Sequence, residues 1–191
     1  LTNALSHVSL QIAQGERVAV IGKMGSGKTT LGKLINGLYL PQRGAVKIGG
    51  LDIRQIDPAE LRAKIGYMAQ DNFLFQGSIR ENITLGAPQV SDHALLRAAT
   101  IAGVTDFIKS NPAGFNLQVG ERGLNLSGGQ RQAVTIARTL LLDPDIVILD
   151  EPSSSMDTGV EAVLKMRLAS ALKGKTLLLI THRPSLLSLV S

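Results

Sequence analysis

The sequence predicts an α/β fold: a core of mainly parallel sheet, a small antiparallel β patch, and a helical subdomain inserted into the core. Three observations lead there. The runs VAVI (18–21), IVIL (146–149) and TLLLIT (176–181) are continuously apolar rather than alternating, as suits strands covered on both faces of a parallel sheet. Stretches with helical spacing lie between them. Each run leads at once into residues that carry chemistry, namely Gly22, then Asp150 with Glu151, then His182. Ligands of open α/β sheets gather beyond the carboxyl ends of the strands, so three such ends point to one site.

The elements follow in order along the chain. LTNALSHVSLQIAQG reads as a strand-like alternation already under way, and the chain stops at LLSLVS without a cap. Both ends read as cuts in a longer polypeptide, so residues 1–191 are expected to be one domain truncated at both ends. After VAVI, residues 30–38 have helical spacing. AVKIGGLDIRQI (45–56) reads as a hairpin around Gly49-Gly50, which accounts for the antiparallel patch. KIGYMA, before Gln70, is strand-like. Residues 91–110 look helical, opened by Ser91 and Asp92 and closed before Pro112, and belong to a subdomain spanning roughly 85–130. A helix over 130–142 should bury Ala133, Ile136, Ala137, Leu140 and Leu141 and stop at Pro144. Another, over 161–173, ends at Gly174, where a C′ glycine belongs.

Composition narrows the function. A chain of 191 residues, 44% apolar, can bury a sizeable core. It has no cysteine, which excludes disulfides and thiolate metal sites. A net charge of +5 would suit nucleic acid, but Lys and Arg are dispersed and aromatics make up only 3%, which argues against that partner. No apolar run approaches the ~20 residues that span a bilayer.

GKMGSGKT (22–29) fits the phosphate-loop pattern in full, after a strand and before a helix. Its glycines let backbone N–H groups converge on phosphate oxygens, Lys28 reaches the β/γ-phosphates, and the Thr29 hydroxyl suits Mg²⁺. Gly22, Lys23, Met24, Gly25, Ser26, Gly27, Lys28, Thr29 and Thr30 are therefore the phosphate-binding candidates, and the fold class sharpens to a P-loop NTPase core. Asp150 stands where phosphate-loop enzymes hold their second Mg²⁺ contact. Glu151, beside it, can orient or deprotonate the water that attacks the γ-phosphate, or can merely cap the turn made by Pro152. His182 could hydrogen-bond the γ-phosphate or be structural. The Gln70 amide oxygen could meet the metal or the attacking water, or be solvated. LSGGQ (126–130), before the amphipathic QRQAVTIARTLLL, builds a second anion receptor at a helix N-terminus.

Together these residues resemble the ATP-binding-cassette (ABC) ATPases. The likeness runs through essentially the whole chain: the phosphate loop, Gln70, LSGGQ, IVILDE (146–151), SSMD (154–157) and His182. It implies ATP and Mg²⁺ as cofactors, with Thr29, Gln70 and Asp150 around the metal. It implies Glu151, His182, Lys28 and Gln70 in catalysis, and Ser127, Gly128, Gly129, Gln130 and Asp157 at the nucleotide. It further implies a site split between two cassettes arranged head to tail, in which the signature of one closes on the ATP held by the other. That is why one chain would carry two phosphate receptors.

VGERG (119–123), QDNFLFQGSIRENI (70–83) and DIRQIDPAELR (52–62) resemble exporters, and the ATPases of type I protein secretion most of all. The implied partners are a transmembrane domain, in the same polypeptide, and a second cassette. The implied location is the cytoplasmic face of the inner membrane, with Phe73 and Phe75 at the membrane-domain docking pocket or in ordinary loop packing. Two departures stand out. No Phe, Tyr or Trp precedes Tyr39, although the family stacks an upstream aromatic on adenine, and Ser153 stands where threonine is common. A soluble ABC ATPase acting on ribosomes or DNA is the alternative. The interval from Lys28 to Ser127 is too short for the coiled coil of the DNA-repair members, and VGERG speaks against the ribosomal ones. A regulatory module without turnover would be expected to lack Glu151 or His182.

Overall fold

A computed structural model describes residues 3–190, in two compact units. The first comprises residues 1–69, 144–151 and 174–191, so far as described. It contains β1 (Arg17–Val20), α1 (Lys28–Ile35), β2 (Lys47–Ile48), β3 (Leu51–Asp52), α2 (Pro58–Lys64), β4 (Ile65–Met68), β5 (Ile146–Asp150) and β6 (Thr176–Ile180). Four of these strands form an all-parallel sheet in the order β1-β6-β5-β4, and β2 pairs antiparallel with β3. Two of the continuous apolar runs are the sheet's centre, with Val147, Ile148, Leu149, Leu177, Leu178 and Leu179 buried, whereas VAVI supplies β1 at one end of the strand order and is only partly buried.

Beneath β5 and β6, a core of Ile53, Leu61, Ile65, Ile148 and Leu178 gathers Val18, Val20, Ile35 and Tyr67 at its margin. Gly32 on α1 is small because a Cβ there would come within 3.2 Å of the Tyr67 ring. Two segments of this unit differ from the sequence reading. The helix α1 begins at Lys28 rather than at residue 30, because left-handed Gly27 (φ 87°) serves as its N-cap. Residues 3–14 form no strand; an alternating segment becomes one only when a neighbouring strand takes its hydrogen bonds.

The second unit comprises residues 70–143 and 152–173, which takes in the 85–130 segment. Its helices are α3 (Ile79–Ile83), α4 (Asp92–Ala102), α5 (Val104–Ile108), α6 (Gly128–Leu140) and α7 (Thr158–Ala171). The stretch expected as one helix over 91–110 is two, because Gly103 adopts φ 83° and ends α4. The α6 residues expected inside, Ala133, Ile136, Ala137, Leu140 and the following Leu141, are all buried. The helix α7 stops at Ala171, and Gly174 (φ 79°) lies beyond its cap at Leu172. No described helix is long and apolar enough to cross a membrane.

Candidate nucleotide site

The first unit gathers Lys28, Thr29, Asp150, Glu151 and His182 at the carboxyl ends of β1, β5 and β6. Between β1 and α1 the loop must turn sharply, and Gly25 and Gly27 take φ 77° and 87° to do so. A Cβ at Gly27 would also lie 2.6 Å from the Ala4 carbonyl oxygen, so both conformation and space demand glycine there. The first intrahelical bond of α1 runs from Leu31 N to Gly27 O, and Gly27 offers no side-chain cap. The amides of Lys28, Thr29 and Thr30 are thus left for a ligand. The Lys28 ammonium donates to the carbonyls of Gly22 and Lys23, each at 2.8 Å, which holds its charge over the loop. Lys23 accepts a further bond from Ser26 N at 3.2 Å, closing the turn, and Met24 at its crest is fully exposed.

Asp150 is 1% exposed, yet neither carboxylate oxygen meets a donor in hydrogen-bond geometry. Burial raises its pKa; the nearby Thr29 hydroxyl pulls the other way, the Glu151 charge adds to the rise, and Lys28 and Lys33 oppose it. Orphaned, desolvated carboxylate oxygens facing a threonine hydroxyl fit a hard divalent cation.

A carboxyl raised in the folded state costs stability once pH exceeds its unfolded value near 3.9. Asp150→Asn should therefore raise the ligand-free Tm at pH 7–8, and the gain should vanish below about pH 4, where both forms are neutral. Thermal melts across that range check it. The same substitution should abolish Mg²⁺-dependent nucleotide binding.

Glu151 is a non-glycine residue in the left-handed region (φ 52°), a conformation worth about 1–3 kcal/mol of strain. Its N–H donates to Ile180 O at 2.9 Å, which pins it to the end of β6. One carboxylate oxygen lies 2.6 Å from His182 Nδ1, and the other accepts from the Thr181 hydroxyl at 3.4 Å. Their side chains differ in access: Glu151 is 8% exposed and His182 69%. Two residues singled out separately, 31 positions apart, are in contact.

The second unit holds the remaining candidates. Ser127 caps α6 through a reciprocal capping box: its hydroxyl accepts from Gln130 N (3.2 Å), and Gln130 Oε1 accepts from Ser127 N (2.9 Å). Two of the five residues of LSGGQ thus have a local task. The Gly128 and Gly129 amides, in the first turn, have no partner within the helix. Asp157 caps α7, accepting from Gly159 N and Val160 N at 3.0 Å each. Exposed Gln70 follows β4 and leads into a loop whose Phe73 and Phe75 form a half-exposed edge-to-face pair, centroids 5.0 Å apart.

Three residues outside the sequence expectations hold this unit in shape. Arg138 on α6 donates to Phe73 O, Asn82 O and Asn82 Oδ1, at 3.1, 2.7 and 3.2 Å. Asn82 in turn exchanges bonds with the Phe75 backbone, 2.9 Å each way. Burial lowers the Arg138 pKa, and backbone oxygens rather than a carboxylate hold the guanidinium. Gln132 is fully buried and bonds to Ser154 and Ser155. Its one signal in sequence is a polar residue four and eight positions before Ile136 and Leu140, on the face meant for the core.

The ABC transporter family model matches residues 5–154. Leukotoxin translocation ATP-binding protein LktB of Mannheimia glucosida is 44% identical over 181 residues, 95% of this chain and 26% of the relative. The protein of that name from Bibersteinia trehalosi matches to the same extent. The chain thus spans about a quarter of these relatives' length. Among solved structures, a bacterial Atm1-family ABC exporter with ATP bound superposes with a TM-score of 0.86 at 38% identity, over 91% of this chain and 31% of that one. The chain belongs to the ABC transporter family, of which it is an ATP-binding cassette.

Proposed function

We propose that this chain binds MgATP and hydrolyses it to ADP and phosphate, as the motor of an exporter for proteins or peptides. The observation that carries the reading is the grouping, at three adjacent strand ends, of a complete phosphate loop, orphaned Asp150 and strained Glu151. The α1 amides, Gly22, Lys23, Gly25, Ser26, Gly27 and the Lys28 ammonium bind the β- and γ-phosphates, with Met24 bare at the rim. Thr29 and Asp150 would hold Mg²⁺, joined by Gln70 in the working complex. The ion would supply charge neutralisation on those phosphates. Glu151, oriented by its hydrogen bond with His182, takes a proton from the attacking water. The remaining candidates, Ser127, Gly128, Gly129, Gln130 and Asp157, act on the nucleotide of a second copy arranged head to tail.

Export is supported by the relatives, whose name specifies leukotoxin translocation, and by the ATP-bound exporter that the chain resembles. In this reading the cassette is a domain truncated at both ends, attached to a transmembrane domain on the cytoplasmic face of the inner membrane. The Phe73–Phe75 pair meets that domain.

A melt tests the nucleotide half. A ligand that binds only the folded state adds about 2.7 kcal/mol at a hundred times its Kd. For a chain of this size that is roughly 5–10 °C of Tm. MgATP should give such a shift and Lys28→Ala should lose it; an equal shift in both would remove the phosphate loop from the site.

A further inference from the structure

The signature glycines raise a question that ligand binding does not answer. Neither Gly128 nor Gly129 has a positive φ, so neither is needed for backbone conformation. What they lack is room. A Cβ at Gly128 would lie 3.1 Å from Ser155 Cβ, and one at Gly129 would lie 3.3 Å from Ser155 O. The first turn of α6 is pressed against the loop 153–157 of its own unit.

That contact is locked from within. Gln132, one turn along, is 0% exposed. Its Nε2 donates to Ser154 Oγ and its Oε1 accepts from Ser155 N, both at 3.1 Å. The loop is tied at its other points too. Ser153 Oγ donates to the buried carboxylate of Glu161 at 2.5 Å, and Asp157 caps α7. A buried amide that satisfies a backbone N–H and a hydroxyl at once fixes orientation as well as distance. The loop begins two residues after Glu151 in the chain.

We infer that Gln132 is a positioning residue: its amide locks the 153–157 loop to the first turn of α6, so that the signature amides and the segment leading out of Glu151 shift as one piece. This rests on the reading of Glu151 as the base, and it explains the absence of a side chain at position 128 by the loop, leaving the Gly128 amide to the nucleotide.

A double-mutant cycle on the protein tests it, with kcat and KM for MgATP measured for each variant. Gly128→Ala should cut kcat on the order of 10²-fold, the scale on which an ångström of misplacement acts. Adding Ser155→Gly removes the obstructing Cβ and should return most of that loss, a coupling expected only of residues in contact. Gln132→Leu should lower kcat with KM within about twofold, and Gln132→Glu, which keeps an acceptor for Ser155 N, should recover part of it. Melts separate these effects from unfolding, and if Gln132→Leu does not fold the cycle decides alone. An equal loss in Gly128→Ala with and without Ser155→Gly overturns the inference, as does wild-type turnover in Gly128→Ala. Glu151→Gln is the control: wild-type turnover there defeats the base assignment itself, whereas slow turnover there with an unproductive cycle defeats only the present inference.

Discussion

Glu151→Gln should bind MgATP with near-native affinity while hydrolysing it about 10²–10⁴-fold more slowly, the range a positioned general base supplies. The substitution keeps the side chain's shape and its amide oxygen can still face His182, so the bond that sets its orientation survives in altered form. What it removes is a site for the proton of the attacking water. The nucleotide then persists, and with it the complex of two chains that closes around it. Light scattering in MgATP should report a dimer in the variant that dissipates in the wild type as ATP is consumed. Because Glu151 is held in a left-handed conformation, its strain is relieved by Gly rather than by Gln. Glu151→Gly should thus be as slow but thermally at least as stable, which separates the catalytic cost from the conformational one. Rapid hydrolysis by Glu151→Gln would transfer the base to another group, His182 first.

Mixing two dead variants should restore one composite site of the two in each mixed dimer. Lys28→Ala removes the charge over the phosphate loop, and Ser127→Arg breaks the capping box and blocks the N-terminus of α6. Each is inactive as a homodimer, since every composite site carries a lesion. In a symmetric dimer with reciprocal contacts, one mixed pair concentrates both lesions in one site and leaves the other intact. Trapped nucleotide should then reappear on mixing, at up to half of the wild-type amount. Occlusion is the readout because hydrolysis can require both sites. If the signature worked on its own chain's ATP, mixing would recover nothing, and that result with mixed dimers demonstrated would end the trans model.

Much of this was legible because it is local. A phosphate loop is a contiguous run whose glycines, lysine and threonine act within eight positions of one another, so the sequence displays the receptor whole. Strands buried on both faces advertise themselves as continuous apolar runs. The pairing of Glu151 with His182 is another matter, since it depends on β5 and β6 lying side by side, which neither segment states alone. Gln132 hides for a related reason: its partners Ser154 and Ser155 are more than twenty positions away, and without them a polar residue on an apolar face is only an irregularity. The capping box at Ser127 was written openly as S-x-x-Q, in the same residues that read as a phosphate receptor. The split at Gly103 and the unpaired alternation of residues 3–14 fall to competing principles. A left-handed glycine outweighs helical spacing on either side, and a strand pattern without a neighbouring strand stays irregular.

The strand order has a consequence for how such a chain is made. β6 lies between β1 and β5, and its register joins Arg17 to Leu177, residues separated by 160 positions. A ribosome that has released β1, β4 and β5 has therefore produced a sheet with its middle missing, and β1 without any strand to pair with. Until residues 176–180 emerge, β1 and β5 carry open hydrogen-bonding edges where β6 belongs. Loop closure over that span is slow, and exposed edges of this kind are the sites at which nascent chains associate wrongly. Synthesis halted short of Thr176 leaves a polypeptide that holds the whole phosphate loop but lacks the strand that joins β1 to the rest of the sheet.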